Sequence, residues 1–262
     1  GGINLSPAGI NALRRLAAEK FEDFGRVRAE ASDKAADSFR KPPEEPAKPL
    51  KTALFLKPAL FSDIMEKDPH ACQFFDVVFL PIEAYDKRVR GVYIPPVIFE
   101  SELSDVRARL AKAKSLGAEY ALVGNIGALS LASDAGLIPV GDFRLNITNS
   151  ETRELYRDFG IEYAILSPEL TLPMARDIGG GVITYGRIPL MLTERCFMKE
   201  NFGCEKCSSV SLTDRTGAKL PMLYEYGHRN LIITSRPTYM EDKKDELRSS
   251  NIKHAHFIFS VE

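Results

Sequence analysis

Cysteine is scarce in this chain, with four residues in 262, too few for a disulfide scaffold. An excess of either charge is missing as well. Lys and Arg number 35 against 36 Asp and Glu, a formal net charge of −1. That balance argues against nucleic-acid binding driven by bulk charge and leaves room only for a local basic patch. No apolar run approaches the roughly 20 residues that cross a bilayer, so no membrane partner is expected. The opening GGINLSPAGINALRR has neither the apolar centre of a secretory leader nor an initiator Met. The expectation is a cytoplasmic protein, and a piece of a longer polypeptide. Three catalytic signatures are absent too. No Gly-x-Gly-x-x-Gly turn follows the first apolar run, and there is no Gly-x-Ser-x-Gly elbow and no His-Glu-x-x-His helix.

What is present divides at about residue 50. Residues 4–31 predict a helix, with Ser6 as cap and Pro7 in the first turn. Ile10, Leu13, Leu16, Ala17, Phe21 and Phe24 recur at three- and four-residue steps to form its apolar stripe, with Arg14, Arg15 and Lys20 mostly opposite. Residues 34–49, with four prolines and many charges, predict an extended linker. Residues 1–50 are thus a helical arm and tether, and 51–262 the main domain.

In that domain eight short apolar, β-rich runs recur: 52–57, 76–82, 91–98, 120–125, 143–147, 163–167, 182–186 and 255–261. Between the early ones lie helical patterns, such as 101–117, opened by Ser and Asp and closed by Gly117, and 149–160, opened by Asn149 and Ser150 and closed by Gly160. Runs buried on both faces and alternating with helices indicate parallel strands. Eight of them fit an α/β fold of the (β/α)8, TIM-like barrel kind, with an open doubly wound sheet as the alternative. Gly179, Gly180 and Gly181 precede a strand and do not open a helix, so they read as a loop and not a phosphate cradle.

Barrel sites lie at the C-terminal ends of strands. The polar residues predicted there are Lys57 and Asn125, taken as substrate-binding candidates, and Asn146, Glu169, Tyr185 and Arg187, taken as catalytic candidates. Ser167, Pro168 and Glu169 equally read as cap, first-turn proline and dipole-matched acid of a helix. Glu169 and Arg187 would end neighbouring strands, close enough for an ion pair across the mouth.

Three of the four cysteines, Cys196, Cys204 and Cys207, fall within twelve residues, and His228 follows. Thiolates so spaced suit a tetrahedral metal or an iron–sulfur centre. Cys72 stands apart and reads as an inert core or surface thiol; His254 and His256, two apart on the last strand, read as satisfied surface residues on one face. Arg195, Lys199, Lys206, Arg215 and Lys219 surround the cluster and would offset its charge or meet RNA, although a solvated loop carries such charges equally well.

In the order LNITNS (145–150), LSPEL (166–170), YGRIPLM (185–191), the cysteine cluster and LTDRTGAKLPM (212–222), the chain resembles peptidase family U32, the collagenase-like proteins. The resemblance covers nearly all of residues 5–262, and the opening SPAGINALRR is similar to the start of the C-terminal barrel in long, two-barrel members. It implies a TIM-like barrel, a partner N-terminal barrel in the same polypeptide, and a set of metal-binding cysteines. Cys196, Cys204 and Cys207 match three of the family's usual four, and His228 stands at the place of the fourth. Zinc or an iron–sulfur cluster is the implied cofactor; a degenerate site with no metal is the alternative. Several family members hydroxylate RNA or act in ubiquinone synthesis, and others were named proteases without settled catalytic residues. The leading expectation is therefore part of an RNA-hydroxylating metalloenzyme, with RNA as partner. The alternatives are a non-catalytic barrel module and a peptidase, in which Cys196 and His228 would pair as nucleophile and base.

Overall fold

The computed structural model describes residues 7–25, 50–203, 210–250, 252 and 254–261. The chain forms two compact units, residues 1–42 and 43–262. In the first, helix α1 (Pro7–Gly25) is the predicted arm, with Leu13 and Leu16 of its apolar stripe exposed. Residues 4–6 and 26–31 of the expected helix, and the expected linker, lie outside the described residues. Among the described residues no helix is long and apolar enough to cross a membrane.

The second unit is a mixed α/β fold around a curled, mostly parallel sheet. Its strands are β1 (Leu50–Phe55), β2 (Val77–Pro81), β3 (Gly91–Tyr93), β4 (Tyr120–Val123), β5 (Ile138–Gly141), β6 (Gly181–Gly186) and β12 (His254–Phe259). Neighbours run β6-β12-β1-β2-β3-β4-β5, all parallel, with the short strand β11 (Thr238–Tyr239) antiparallel on the far side of β6. Residues 163–166 make ladder bonds to both β5 and β6. Gly141 N–H donates to Tyr163 O at 2.8 Å and Gly181 N–H to Ala164 O at 2.7 Å, while Ile165 and Leu166 return bonds of 2.8 Å to Gly141 and Gly181. The predicted sixth run is therefore a bridging segment.

Both faces of these strands are covered, which is why they read as unbroken apolar runs. Leu54, Phe79, Leu122, Val140, Ile165, Ile183 and Ile258 form one interior cluster. Their alternates, such as Ala53, Phe55, Val78 and Leu80, pack outward with Phe61 of helix α2 (Pro58–Lys67). The alternates Val92, Ala121 and Val123 cluster with Val106, Leu110 and Ala113 of helix α3 (Leu103–Ser115) and with helix α4 (Ile126–Asp134). Helix α5 (Ser150–Asp158) starts as predicted, with the Asn149 side chain accepting from Thr152 N–H at 2.8 Å.

Three expectations, one of a strand and two of helices, are corrected. The fifth strand is Ile138–Gly141, not residues 143–147. Phe143, Leu145 and Ile147 are buried at alternate positions and so mimic a strand, but Phe143–Leu145 is a 3-10 turn capped by Asp142 and ended by Asn146 in the left-handed region, φ 52°. Ser167 and Pro168 form a turn and do not open the next helix; α6 (Leu172–Ile178) begins after Thr171. Residues 82–90 join β2 to β3 through a 3-10 turn without an α-helix.

The largest departure lies between β6 and β12. Around the expected cysteine-rich stretch, whose Cys204 and Cys207 lie outside the described residues, stands a second sheet of four antiparallel strands, ordered β7-β10-β9-β8: β7 (Pro189–Thr193), β8 (Ser211–Thr213), β9 (Lys219–Glu225) and β10 (Arg229–Ile233). Helix α7 (Phe197–Phe202) follows β7, and α8 (Lys244–Ser249) precedes β12. Alternation gives this sheet two apolar faces. Leu223, Leu231 and Ile233 join the interior cluster of the large sheet, whereas Met222 and Ile232 pack with Cys196 and Met198 on the other side. The small sheet thus sits over the C-terminal ends of the parallel strands.

Candidate functional site

Beneath that sheet a set of polar side chains is buried at the C-terminal ends of the parallel strands. Tyr93 ends β3; Asp142 and Arg144 follow β5; Glu225 ends β9 and reaches down from above. Tyr93, Asp142 and Glu225 are at most 5% exposed, and the Arg144 side chain 15%. Tyr93 O–H donates to Glu225 Oε2 at 3.3 Å, and the other carboxylate oxygen of Glu225 accepts from Tyr226 N–H at 3.1 Å. Arg144 is ion-paired with Asp142, its guanidinium lying 4.7 Å from the Phe143 ring centre and 5.8 Å from that of Tyr93. One guanidinium nitrogen, Nη2, is buried with no hydrogen-bond partner among the described residues.

Burial sets the protonation of this group. It pushes the Glu225 carboxyl up to about 7, against the pull of the Arg144 charge, and raises Asp142 and Tyr93 also. Burial opposes the charge of Arg144 too, but Tyr93, Asp142 and Glu225 outweigh it and the guanidinium stays protonated. The result is a carboxyl able to give or take a proton near neutrality beside a fixed cation. That combination suits general acid–base chemistry on a substrate whose negative charge grows during reaction.

A second buried ion pair docks the small sheet. Arg229, on β10, is 2% exposed; it donates to both carboxylate oxygens of Glu102 at 2.9 and 3.0 Å, to Glu194 at 3.1 Å and to Tyr226 O at 3.0 Å. It also lies over the Phe99 ring at 4.7 Å. Glu102 and Phe99 belong to the segment between β3 and α3, so this one side chain fastens the cover to the parallel sheet.

The structure places the sequence-predicted residues elsewhere. Asn125 caps α4, accepting from Ala128 N–H at 2.7 Å and donating to Pro96 O at 2.9 Å. Lys57 is the half-buried residue before α2 and makes no side-chain cap. Asn146 and Glu169 are exposed. Arg187 donates to the carbonyls of Thr234 and Ser235, and the described ion pairs do not join it to Glu169. Tyr185 is turned to the outer face, 5.5 Å from the Phe259 ring and 6.3 Å from Tyr239. The reason is a register slip: Ile183 pairs with His256 but Tyr185 with Phe257, so Thr184 is skipped and the alternation reverses.

Cys196 is buried on the far side of the small sheet, at the start of α7. Its Sγ accepts from Lys199 N–H and from the Asn230 side-chain amide, each at 3.4 Å. Asn230 is itself fixed by Phe197 N–H, which donates to its Oδ1 at 2.8 Å. His228 is exposed at the β9–β10 turn, φ 60°, with its ring 6.0 Å from Tyr224. Cys204, Cys207 and Lys206 lie outside the described residues, and among the described residues no group of three or more metal-ligating side chains assembles. Arg195, Lys199, Arg215 and Lys219 are exposed, Arg195 pairing with Glu200. Cys72 is half-buried in the turn Ala71–Phe74, and burial raises its thiol, as suits an inert core residue. His254 and His256 do share a face, but it is the interior one: both are at most 1% exposed, not surface residues.

No family model matches the chain. It is 28% identical over 113 residues to an uncharacterized protease of Methanocaldococcus jannaschii, an alignment covering 39% of this chain and 28% of that protein. The chain thus spans about a quarter of that relative's length, and the similarity is to a protein named as a protease. Two variants of the tryptophan synthase α-subunit of Pyrococcus furiosus superpose with a TM-score of 0.37 at 14% identity, covering 52% of this chain and 76% of theirs, a likeness too loose to argue from.

Sequence reasoning passed over Tyr93, Asp142, Arg144 and Glu225. The one available signal was the apolar run 137–140 ending in Gly141 and Asp142. An added Cβ at Gly141 would lie 2.9 Å from the Ala164 side chain, so glycine there marks a close strand contact and the acid after it a strand end.

Proposed function

We propose that this chain is the catalytic barrel of a U32-type enzyme that hydroxylates RNA, with its reaction centre at the Tyr93, Asp142, Arg144, Glu225 cluster. The single observation carrying this reading is the enclosure, at the C-terminal ends of parallel strands, of a carboxyl raised to about 7 and bonded to Tyr93, in the field of a buried guanidinium that pairs with Asp142. The barrel reading, with eight parallel strands in a closed ring, is supported by the bonds from residues 163–166 to both β5 and β6 and by an interior filled from every strand. The family assignment is supported by the ordered motifs at 145–150, 166–170, 185–191 and 212–222. Glu225 would move the proton, Arg144 would hold negative charge, and the small sheet would exclude water, while the oxygen atom and the two-electron oxidation would come from an oxygen-donor co-substrate. The exposed cations Arg195, Lys199, Arg215 and Lys219 are the proposed RNA contacts.

Zinc or an iron–sulfur cluster fits the chemistry around Cys196, because two N–H groups directed at one sulfur support a thiolate ligand. Cys196, Cys204, Cys207 and His228 would hold it. When bound, zinc would brace the small sheet and a cluster would supply redox chemistry. Cys196 itself lies on the face of the small sheet away from the mouth cluster. Peptide hydrolysis is the second reading, favoured by the name of the archaeal relative. In that case the acid–base pair at the mouth would serve it better than Cys196, which is buried beneath Met198 and Met222.

Two measurements test the proposal. Protein purified without oxygen should contain iron with visible absorbance, or zinc, and Cys196→Ser should lower the metal content; wild-type protein free of both metals would remove the cofactor. Cells lacking the gene, complemented with full-length Glu225→Gln, should show at least a hundredfold less RNA hydroxylation than with wild type, at unchanged protein level. Unchanged hydroxylation would leave a non-catalytic module or a peptidase.

A further inference from the structure

Glu225 stands at the tip of a hairpin, a poor place to hold a proton-transferring carboxyl still. Gly227 and His228 turn the chain from β9 into β10 with φ 75° and 60°. Loop tips are where backbone mobility concentrates, so this one needs fastening. The fastening converges on Tyr226. Its N–H donates to Glu225 Oε1 at 3.1 Å, its carbonyl accepts from Arg229 at 3.0 Å, and its hydroxyl donates to Asp105 Oδ2 at 2.6 Å. Arg109 Nε donates to the same Asp105 oxygen, also at 2.6 Å.

The anchors on the barrel side come from one short stretch. Glu102, the partner of Arg229, and Asp105 are three residues apart at the start of α3. The hairpin tip lies against that stretch, since a Cβ added at Gly227 would run into Glu102 and the Arg229 guanidinium. Arg229 and Glu102 form a buried pair and carry stability. Asp105 is different. Its side chain is 51% exposed and pairs with Arg109 along the helix, an arrangement that adds little to folding. Yet the Tyr226 ring, 7% exposed among Val106 and Leu110, reaches out to it with its hydroxyl. Burial and the Asp105 bond push that hydroxyl up to about 12, so it stays a donor, while the bonds from Arg109 and Tyr226 hold Asp105 below the usual carboxylate range, so it stays an acceptor.

We propose that Asp105 is a positioning residue for Glu225: through the Tyr226 hydroxyl it fixes the hairpin tip over the strand ends, and through the Tyr226 N–H it fixes the carboxyl. With Oε1 held by Tyr226, Oε2 is left to meet Tyr93 at 3.3 Å and the substrate. This rests on Glu225 being the acid–base group of the mouth cluster, but the test reads the carboxyl itself and not turnover. The groups facing Glu225 are Tyr93 from β3, Arg144 after β5 with its partner Asp142, Glu83 after β2, and Tyr226 of its own turn. Asp105 reaches Glu225 through Tyr226, so the bond and the charge of Asp105 can be separated by substitution.

The test is carbon NMR of the full chain labelled with 13C at the glutamate carboxyls, with Glu225→Gln identifying the resonance of Glu225. In wild type that carboxyl should titrate at about 7. Tyr226→Phe and Asp105→Ala should each lower its midpoint by roughly one pH unit, a tenfold change in proton affinity, as the loosened tip admits water. The two changes together should lower it no further than either alone. Asp105→Asn, which keeps an acceptor for the tyrosine hydroxyl and loses the charge, should titrate as wild type does. A midpoint unmoved by Tyr226→Phe overturns the proposal, as does an Asp105→Asn midpoint shifted as far as that of Asp105→Ala. Should Asp105→Ala not fold, Tyr226→Phe and Asp105→Asn still decide it. Full activity in Glu225→Gln would overturn the reaction centre while leaving these titrations unaltered.

Discussion

Lowering the pH from 6.5 to 4.5 is expected to remove roughly 5 kcal/mol of folding stability through His254 and His256 alone, at about 1.4 kcal/mol per group per pH unit. Both have folded pKa values far below the ordinary 6.5, His254 at about 3, because burial excludes the charged form. A depressed pKa gives stability that is complete above the unfolded value and lost as pH falls, since only the unfolded chain binds the protons. Glu225 works in the opposite direction. Its folded pKa of about 7 lies above the ordinary 4.5, so keeping it protonated destabilises the fold increasingly as pH rises through that interval. Acidification relieves this, offsetting about 2 kcal/mol of the histidine loss over the same two units. Urea unfolding of wild type should therefore show a net loss of about 2–3 kcal/mol between pH 6.5 and 4.5, and Glu225→Gln, which lacks the offset, about 5 kcal/mol. Identical slopes for the two proteins would mean that Glu225 is not the buried titrating carboxyl.

Arg229→Ala is expected to destabilise the protein by about 3 kcal/mol, because it leaves a partly buried Glu102 without its charge partner. Arg229 is 2% exposed and Glu102 18%, so most of the effect belongs to that pair; Glu194, at 66%, contributes little. In a thermal scan the midpoint should fall by roughly 6–12 °C. Glu102→Met combined with Arg229→Met should recover part of the loss, since it removes both charges together. The single change should also loosen the small sheet, admit water to Glu225 and bring its carboxyl back toward the ordinary range. A melting point unmoved by Arg229→Ala would mean that the sheet is held by its apolar face alone.

How far the fold was legible in the sequence depended on whether burial was one-sided or complete. The runs at 52–57, 120–125 and 182–186 were found because both faces of the strand are covered and most positions are apolar. The cap at Asn149 was found because it is local: a side chain bonding a backbone N–H three residues on needs nothing else. The alternation at 143, 145 and 147 misled, because a buried 3-10 turn can hide every second side chain as a strand does. Tyr185 misled for another reason, since a one-residue slip against β12 decides its face and no property of β6 records it. Glu225 lies in a seven-residue strand of apolar and polar residues that, taken alone, gives no sign of being enclosed.

By itself the amino-acid sequence determined the alternation of strands and helices, the arm before residue 50 and the close spacing of Cys196, Cys204 and Cys207, since each follows from neighbours along the chain. The tertiary structure alone decided that residues 189–233 fold into a sheet covering the strand ends. It also decided that Glu225 meets Tyr93 there, and that two histidines share one hydroxyl inside. These residues are 132 and 202 positions apart or more in the chain. Their pKa values and pairings arise from exclusion of water by the whole assembly, a property that no local stretch possesses.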